Sequence, residues 1–400
     1  MWTTDVTRPV PSNIARQHFL QRNADYMARY RQRADQLKAA IQAFASTGEV
    51  HSQGISKISL KLLSACNLRC SMCFQWREDG LDHEGAKGFH RNLKKTRLDF
   101  DECRHLFDFV RKHPCEVVLT GGEPMLHPQF SLFVQALAEA GCHMVICTNG
   151  TLLDKHFDTL SRYHDRLAFL ISIDGPKAVH DGIRGDGYHA VTTGAIRRLA
   201  EAKRDGLKWI VGVESTLLAS NMLHSETVIE ECAAMGVDWM VFNHLWIANP
   251  EARVQFSQLC TEHGTQAQSA EGYDLGHFDD NYVEMVNSTL ARIQAHPSPI
   301  PVLVSPNLAP QQLQDYYQGR YRPENPYYKM GVKLDIDIDG RVVMTKQFPE
   351  ISFGNIIDQP IEQIVGSALY KRTARELLHR PLDILAACPD MHNLRVDKAP

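Results

Sequence analysis

The chain carries three closely spaced cysteines in the stretch Leu63-Ser64-Ala65-Cys66-Asn67-Leu68-Arg69-Cys70-Ser71-Met72-Cys73-Phe74, just after a run typical of a β-strand. The spacing Cys-x3-Cys-x2-Cys supplies three thiolates, one fewer than a closed tetrahedral metal site needs. A cubane iron–sulfur cluster contains four irons and normally takes four cysteine ligands. Three cysteines therefore predict a 4Fe–4S cluster with one iron open to a small molecule, which indicates chemistry rather than a structural metal site.

The composition limits the class of protein. A length of 400 residues fits two domains or one large domain with additions, and the net charge of −4 gives no basic surplus for nucleic acid or an anionic membrane. No apolar run is long enough for a membrane span, and the first residues lack the pattern of a signal peptide. The ten cysteines, three of them clustered, favour a reducing, cytoplasmic setting in which thiolates serve as ligands.

Strand-like runs alternate with helix-period stretches through the first two thirds of the chain. The six apolar, β-branched runs are Ile58–Leu63, Glu116–Leu119, His143–Cys147, Leu167–Ile173, Trp209–Val213 and Trp239–Phe242. Six strands joined through helices predict a parallel sheet with right-handed crossovers. Active groups in such sheets collect at the carboxyl ends of the strands, so the candidate site residues are sought there.

Three of these runs end in short polar motifs. The motifs are Thr120-Gly121-Gly122-Glu123-Pro124, Cys147-Thr148-Asn149-Gly150 and Ser172-Ile173-Asp174-Gly175. Glycines let the backbone approach a ligand closely, Glu123 can accept hydrogen bonds from an ammonium group, and Asn, Ser and Asp side chains suit ribose hydroxyls. Each motif alone is equally compatible with a glycine turn. Their occurrence on successive strands after a cysteine triad favours one nucleotide-type site.

These motifs, followed by the stretch His180-Asp181-Gly182-Ile183-Arg184-Gly185, occur in the order found in radical S-adenosylmethionine (radical SAM) enzymes. The chain resembles the SPASM-type branch of that superfamily over about residues 56–246. The resemblance implies an α/β fold, a partial six-stranded (β/α)6 TIM-like barrel, and one 4Fe–4S cluster on Cys66, Cys70 and Cys73. The methionine amino and carboxylate groups of SAM would bind the open iron, and reductive cleavage would give a 5′-deoxyadenosyl radical that abstracts hydrogen from a substrate.

The resemblance also implies roles for single side chains. Gly122 and Glu123, within the motif Gly121–Pro124, would hold the SAM amine, and Arg184 its carboxylate. The ribose would contact the three strand-end residues Asn149, Ser172 and Asp174. For Arg184 a surface pairing with Asp181 or Asp186 is an equal alternative. Met72 stands where the family has an aromatic residue; the adenine contact there is largely through backbone, so SAM binding should survive.

The C-terminal part departs from the family pattern. Leu334–Val343 alternates strictly around an Asp-Gly turn and predicts a hairpin, and together with the stretches Phe353-Gly354-Asn355-Ile356 and Cys388-Pro389-Asp390 it resembles a SPASM domain. Cysteines for auxiliary clusters are expected at Lys346 or a neighbour, after the hairpin, and at Met391, as the partner of Cys388. We therefore expect a small α+β cap without clusters. Regrouping of Cys260 and other scattered cysteines into a second site is the alternative.

The sequence divides into four segments. Residues 1–54 form a helical extension, with one or two helices from about Ser12 to Ala45 that serve packing or homodimerisation. Residues 55–249 form the barrel, residues 250–325 a helical and loop connector, and residues 326–400 the cap. Arg77–Lys95 lacks periodicity and predicts a loop that is a candidate lid.

The absence of auxiliary clusters bears on the outcome of the reaction, because such clusters could accept an electron from the substrate radical. Redox-neutral outcomes or carbon–carbon and carbon–heteroatom bond formation are favoured, with flavodoxin or ferredoxin as reductant. Candidate catalytic residues are His244 as acid or base, Asn243 beside it facing the substrate, and Cys147 as hydrogen donor. A hydrogen-bonded wall position explains His244 equally well, and a buried small residue explains Cys147 better. The N-terminal segment lacks the hairpin of a leader-peptide-binding unit, which favours a small-molecule substrate in a biosynthetic pathway over a ribosomal peptide.

A different class of protein is also compatible with the triad. Three cysteines together with His83 or His90 could close a zinc site in a non-catalytic iron–sulfur or zinc-binding module. The motifs on the later strands have no purpose in that interpretation, which favours the enzyme.

Overall fold

The computed structural model describes residues 13–82, 95–273, 275, 278–323 and 326–394. Most of the predicted loop 77–95, including His83 and His90, lies outside these residues. Two helices come first, α1 (Asn13–Arg22) and α2 (Ala24–Thr47), as the N-terminal pattern predicted. None of the helices in the described residues combines the length and the apolar character that crossing a membrane requires.

A ten-stranded sheet forms the centre of the molecule. Its strands are β1 (Lys57–Lys61), β2 (Glu116–Thr120), β3 (His143–Thr148), β4 (Leu167–Ser172), β5 (Ile210–Thr216), β6 (Trp239–Asn243), β7 (Val302–Ser305), β8 (Lys333–Ile336), β9 (Arg341–Thr345) and β10 (Phe348–Asn355). Strands β1 to β7 lie side by side in chain order, all parallel. The α/β fold with parallel barrel strands is confirmed.

Strand β7 was not predicted. Its four residues lie in the stretch interpreted as a helical and loop connector, and Pro301 and Pro306 flank them. A run of four residues is too short to show the apolar–polar alternation of a strand, and its flanking prolines indicated a loop. Pairing with β6 (Met240 beside Val302) makes it a strand through tertiary contact.

Helices follow the strands and cover one face of the sheet. They are α3 (Arg104–Lys112), α4 (Phe130–Glu139), α5 (Leu153–Arg162), α6 (Lys177–Arg184), α7 (Tyr188–Arg204), α8 (Ser225–Met235), α9 (Pro250–Glu262), α10 (Asp280–Ala295) and α11 (Pro310–Tyr317). On β2, Val117 and Leu119 belong to the core shared with these helices, whereas Val118 between them belongs to a second cluster. This alternation shows the two faces of the strand.

The N-terminal helices close the inner face of the barrel strands. Phe19 of α1 and Tyr26 of α2 pack in the second cluster with Val118, Val145 and other inward residues. The ring of Tyr26 meets His143, the first residue of β3, edge to face at 5.9 Å. The helices therefore cover the amino ends of the strands, and the carboxyl ends with their motifs lie at the opposite opening.

The C-terminal cap continues the same sheet. Strand β8 pairs in parallel with β1, and β8 and β9 form the predicted hairpin, with Asp335 opposite Val343. Gly340 takes a positive φ of 84° in the turn, as an Asp-Gly hairpin turn requires. Within residues 326–394, the described part of the cap, strand β10 and four helices complete it: α12 (Lys329–Val332), α13 (Ile361–Gly366), α14 (Ala368–His379) and α15 (Pro389–Asn393).

Candidate active site

A cavity of about 270 Å³ opens at the carboxyl ends of the barrel strands. The cysteine loop and the ends of β2 to β6 line it, together with Tyr273 and neighbouring residues from beyond α9. The residues predicted for the site that line it are Cys66, Cys70, Met72, Cys73, Gly121, Gly122, Glu123, Cys147, Asn149, Ser172, Arg184, Asn243 and His244. Pro124 and Asp174 are not among the lining residues. One cavity thus collects motifs that are spread over nearly 180 positions of sequence.

Each of the three cysteines has a hydrogen-bond donor at its sulfur. The Leu68 N–H donates to Cys66 Sγ and the Trp76 N–H to Cys73 Sγ, both at 3.4 Å, and Arg184 Nη1 lies 3.6 Å from Cys70 Sγ. Burial raises the pKa of all three thiols, that of Cys66 to about 12. Because burial disfavours the negative charge of a thiolate, these cysteines need groups that stabilise that charge. The hydrogen-bond donors and a bound cationic metal provide this stabilisation. The donor set fits an iron–sulfur cluster.

A single metal ion has no ready-made site in the described ranges, where no three His, Cys, Asp or Glu side chains converge as a group that could hold one. The histidines of the zinc alternative, His83 and His90, lie outside the described residues.

The glycine motif packs directly against the cysteine loop. A Cβ atom on Gly121 would lie 2.6 Å from the Leu63 carbonyl oxygen, and one on Gly122 would collide with the carbonyls of Ser64 and Ala65. The Gly122 N–H donates to the Leu63 carbonyl at 2.9 Å. The close approach that the glycines permit is therefore an approach to the backbone that carries the first cysteine.

Glu123 braces the ends of two neighbouring strands. Its side chain is almost completely buried and accepts hydrogen bonds from the Met125 N–H (3.0 Å), the Thr148 hydroxyl (2.9 Å) and the Asn149 N–H (2.8 Å). Burial raises its pKa to about 7, against the effect of these donors. The carboxylate holds the end of β3 against the glycine motif and borders the cavity.

Asn149 ties β3 to the cysteine loop. Its Nδ2 donates to Asn67 Oδ1 at 2.9 Å, and its Oδ1 accepts from the Thr151 N–H and hydroxyl. Asn67 Nδ2 in turn donates to the Thr151 hydroxyl at 2.8 Å. Asn67 stands next to Cys66, so this network positions the first cysteine.

Arg184 pairs with Asp174. Its Nε lies 2.6 Å from Asp174 Oδ2, and Asp174 Oδ1 accepts from the Thr216 N–H at 2.8 Å. Burial alone would lower the pKa of Arg184, but Asp174 and Cys70 raise it above its ordinary value. The alternative pairings with Asp181 and Asp186 are not the ones found. Both carboxylate oxygens of Asp174 are engaged, so its contacts are with the protein rather than with the cavity.

Glu214 adds a carboxylate to the cavity wall. It lies on β5, and its two oxygens accept from Ser172 Oγ and Asn243 Nδ2, both at 3.3 Å. Burial raises its pKa. Two long hydrogen bonds leave acceptor capacity on this carboxylate for a bound molecule.

The candidate catalytic residues His244 and Cys147 differ in their surroundings. His244 is buried, its Nδ1 lies 2.7 Å from the Tyr317 hydroxyl, and burial lowers its pKa to about 3. Cys147 borders the cavity and also packs against the inner apolar cluster; burial raises its pKa to about 12. Cys147 is therefore a protonated thiol rather than a thiolate.

The family model of the radical SAM superfamily matches residues 60–218. This part of the chain is a radical SAM domain. This confirms the resemblance drawn from the motifs, and the matched residues include the cysteine loop and the strand ends β2 to β5.

Curated relatives of this radical SAM chain are enzymes and maturation proteins. A tungsten-containing aldehyde ferredoxin oxidoreductase cofactor-modifying protein of Pyrococcus furiosus is 28% identical over 198 residues, 48% of this chain and 52% of the relative. The sporulation killing factor maturation protein SkfB of Bacillus subtilis is 26% identical over 237 residues, 55% of this chain and 53% of the relative. The chain spans about half the length of these curated relatives.

A solved structure shares the fold over most of the chain. Streptococcus suis SuiB, crystallised with S-adenosylmethionine, superposes with a TM-score of 0.55 at 12% sequence identity, covering 86% of this chain and 77% of SuiB. At that identity the likeness concerns the fold alone.

Several residues of the cavity were not predicted from the sequence. Glu214 directly follows the strand-like run Trp209–Val213, so extending the strand-end argument to this run would have found it. Phe74 and Tyr273, whose rings stack at 4.7 Å, had no such signal, because Tyr273 belongs to a segment without strand pattern. Only the folded chain brings that segment over the cysteine loop, where Arg77 donates to the Gly272 carbonyl at 3.1 Å.

Proposed function

We propose that the protein is a radical SAM enzyme that uses a single 4Fe–4S cluster to cleave SAM and abstracts hydrogen from a small-molecule substrate in a biosynthetic pathway. The cluster would bind Cys66, Cys70 and Cys73. The observation that carries the proposal is the convergence of these cysteines with the ends of five consecutive strands on one cavity. When bound, the reduced cluster supplies the electron that breaks the C5′–S bond of SAM and yields the 5′-deoxyadenosyl radical.

The chain's own residues would bind and orient SAM. Gly121 and Gly122 border the cavity beside the first cysteine, where their backbone can meet the methionine amine. Asn149 and Ser172 present polar atoms at the ends of β3 and β4, suited to the ribose, and Arg184 is suited to the carboxylate. Asp174 has the different role of holding Arg184 in place.

A small substrate is supported by the lining of the cavity, which also borders the proposed SAM site. Phe74, Trp246 and Tyr273 form an aromatic wall that can exclude water from a radical. The relative from Pyrococcus furiosus is named as a cofactor-modifying protein, which also favours a small molecule.

A single cluster is supported by the surroundings of Cys388 in the cap. Its sulfur lies 3.5 Å from Thr345 Oγ1 and 3.7 Å from the Tyr327 hydroxyl. Beside it, Lys329 pairs with Asp335 at 2.5 Å and Lys333 with Asp390 at 2.6 Å, all within the buried part of the cap. These ion pairs fill the interior beside Cys388. With one cluster, a redox-neutral or bond-forming outcome follows, because no second cluster accepts an electron from the substrate.

The reduction of the cluster would require a one-electron donor of the flavodoxin or ferredoxin class. All ten cysteines are free thiols, which accords with a reducing, cytoplasmic setting.

Anaerobic reconstitution tests the proposal. We expect about four irons per chain, the content of one cubane cluster, and SAM-dependent formation of 5′-deoxyadenosine with a low-potential reductant. Cys70→Ala should abolish both, whereas Cys388→Ala, the matched control in the cap, should leave the iron content unchanged. One zinc per chain without SAM cleavage would support the binding-module alternative, and about eight irons per chain would contradict the single cluster.

Maturation of a ribosomal peptide is the second candidate function. The similarity to the maturation protein SkfB favours it. The two candidates separate by genomic context and by mass. A short precursor-peptide gene beside this one, and a mass change of that peptide on co-expression that is lost in Cys70→Ala, would establish the peptide substrate over the small molecule.

A further inference from the structure

Glu214 lies on the inner face of the sheet and borders the cavity. On β5, Ile210 belongs to the inner apolar cluster and Val213 to the core shared with the helices, so every second residue from Ile210 faces inward. A Cβ atom on Gly212 would lie 2.5 Å from the ring of Trp239, which therefore fills the layer on the amino-terminal side of Glu214. Glu214 itself is only partly buried and lines the cavity, so it is open toward a bound molecule.

The charges around the cavity are balanced except at Glu214. Within the described residues, four charged side chains line the cavity: Arg77, Glu123, Arg184 and Glu214. The two arginines pair with the carboxylates of Asp79 and Asp174, and Glu123 accepts three hydrogen bonds. In the same part of the chain, no lysine or arginine forms an ion pair with Glu214, which accepts its two 3.3 Å bonds from neutral groups.

The surroundings of Glu214 make its negative charge unfavourable in the empty cavity. Burial raises the pKa of its carboxyl, and the neighbouring carboxylate of Asp174 also raises it, against the effects of Arg184, the Ser172 hydroxyl and Lys346. The guanidinium of Arg184 is shared, because it is paired directly with Asp174. Buried charges in proteins are normally paired. A cation bound in the cavity would supply the missing positive charge, which a neutral hydroxyl group would not.

Asn243 adds a second acceptor beside this carboxylate. Its Nδ2 donates to Glu214, which leaves its Oδ1 without a hydrogen-bond donor among the described residues. A protonated primary amine has three N–H donors, and the two side chains offer acceptors for them. The aromatic residues Phe74, Trp246 and Tyr273 line the same cavity, and the faces of such rings attract cations.

We propose that Glu214 and Asn243 bind the protonated amino group of a small-molecule amine substrate, an inference that rests on the radical SAM function proposed above. The proposed SAM contacts come from β2, β3, β4 and α6, which leaves the ends of β5 and β6 for the substrate. Ser172, the proposed ribose contact on β4, donates to Glu214 at 3.3 Å. The amine site and the ribose site are therefore adjacent, and the carbons of the amine lie beside the place where the 5′-deoxyadenosyl radical forms.

Binding without turnover is the first test. The reconstituted full chain with SAM and no reductant is titrated calorimetrically with ethylamine, butylamine and hexylamine, and with the alcohol of each chain length. We expect an amine to bind at least about tenfold more tightly than its alcohol, the difference that a charge-assisted hydrogen bond makes. Glu214→Gln should abolish this preference. Glu226→Gln is the matched control, since Glu226 pairs with Arg292 on α10 and does not line the cavity, and it should keep the preference.

Deuterium transfer is the second test and reports where the amine lies. With dithionite added, the 5′-deoxyadenosyl radical takes a deuterium atom from a perdeuterated amine, which gives singly deuterated 5′-deoxyadenosine. One electron from dithionite and one solvent proton quench the carbon radical left on the amine. Mass spectrometry should find the label with the amine that binds and not with its alcohol, and Glu214→Gln should form only unlabelled 5′-deoxyadenosine.

The Glu214→Gln variant should remain folded and loaded. It removes a charge that has no ionic partner and keeps the shape of the side chain, so iron content, melting temperature and SAM affinity should match those of the wild type. A tenfold loss of SAM affinity with unchanged amine binding would assign Glu214 to SAM and overturn the inference.

Three further outcomes would also overturn the inference. They are equal binding of amines and alcohols, a preference that persists in Glu214→Gln, and 5′-deoxyadenosine formation by a chain that binds none of the amines. A blocked Gly-Lys-Gly tripeptide offers the same amine on a peptide, and binding of this peptide instead of the free amines would overturn the small-molecule source. Failure to form any 5′-deoxyadenosine would overturn the proposed radical SAM function, whereas the binding measurement, made without turnover, would still decide the role of Glu214.

Discussion

Arg184 connects Asp174 to Cys70: its Nε lies 2.6 Å from the carboxylate and its Nη1 lies 3.6 Å from the sulfur. Asp174 is held in turn, because its N–H donates to His180 Nδ1 at 3.2 Å and its Oδ1 accepts from the Thr216 N–H. A fixed guanidinium beside a cluster ligand stabilises added negative charge there. The reduced state of a bound cluster, which carries one more electron, benefits most.

Arg184→Met should therefore lower the reduction potential of the reconstituted cluster. Loss of a charge-assisted contact of about 1.5 kcal/mol would shift a one-electron potential by about 60 mV, a tenfold change in the reduced fraction. Potentiometric titration monitored by electron paramagnetic resonance measures the shift. Arg204→Met, on the exposed side of α7, is the control and should leave the potential unchanged. An equal shift in both variants would show that the effect is not local to Cys70.

Gly122→Ala should prevent cluster incorporation. Its new Cβ would collide with the carbonyls of Ser64 and Ala65, so the loop that carries Cys66 must move. Because backbone rather than a flexible side chain is in the way, relaxation is costly. The measurement is iron content per chain after anaerobic reconstitution, compared with the melting temperature of the apoprotein.

Gly194→Ala provides the matched control for that variant. Gly194 lies inside α7, and a Cβ there meets nothing within 4 Å. This substitution should stabilise the fold by about 0.5–1 kcal/mol and leave the iron content unchanged. Normal iron loading in Gly122→Ala would contradict the packing role assigned to the glycine.

The local sequence pattern predicted the barrel strands well, because strand after strand is an apolar run followed by a polar, glycine-containing motif. The run His143–Cys147, apolar and bounded by glycines, became β3 (His143–Thr148) with its motif at the carboxyl end. The cysteine spacing and the strand-end motifs likewise predicted which residues line one cavity. These signals are local, since each strand end carries its own turn chemistry.

Contacts between distant segments could not be predicted in this way. Asp174 was predicted to contact ribose from its strand-end position and the family resemblance, whereas in the structure Arg184, ten residues later on α6, pairs with its carboxylate. The pairing of His244 with Tyr317 joins residues 73 positions apart, and Tyr317 lies on a helix of the connector with no motif of its own. Such partners follow from tertiary packing, which a single sequence does not show.

Glu123 should make the stability of the apoprotein depend on pH. Burial raises its pKa from 4.5 to about 7, so the folded state binds more protons than the unfolded state between these values. Stability from this group is therefore complete below pH 4.5 and is lost as the pH rises through 7, by at most about 3 kcal/mol. Urea unfolding at pH 5 and pH 8 of wild type and Glu123→Gln measures it. A pH dependence that persists in Glu123→Gln would assign it to other groups.

The N-terminal helices should be needed for the stability of the barrel itself. Tyr26 is buried against Val118, Val145 and the ring of His143 at the amino ends of the strands. Tyr26→Ala would leave a cavity on the inner face of the sheet, and we expect a loss of about 3 kcal/mol in the free energy of unfolding. Leu132→Ala, at a position 45% exposed on α4, should cost far less. Chemical denaturation of both variants, with sedimentation analysis alongside, separates two roles. A Tyr26→Ala variant that keeps its stability but changes its oligomeric state would assign these helices to dimerisation instead of packing.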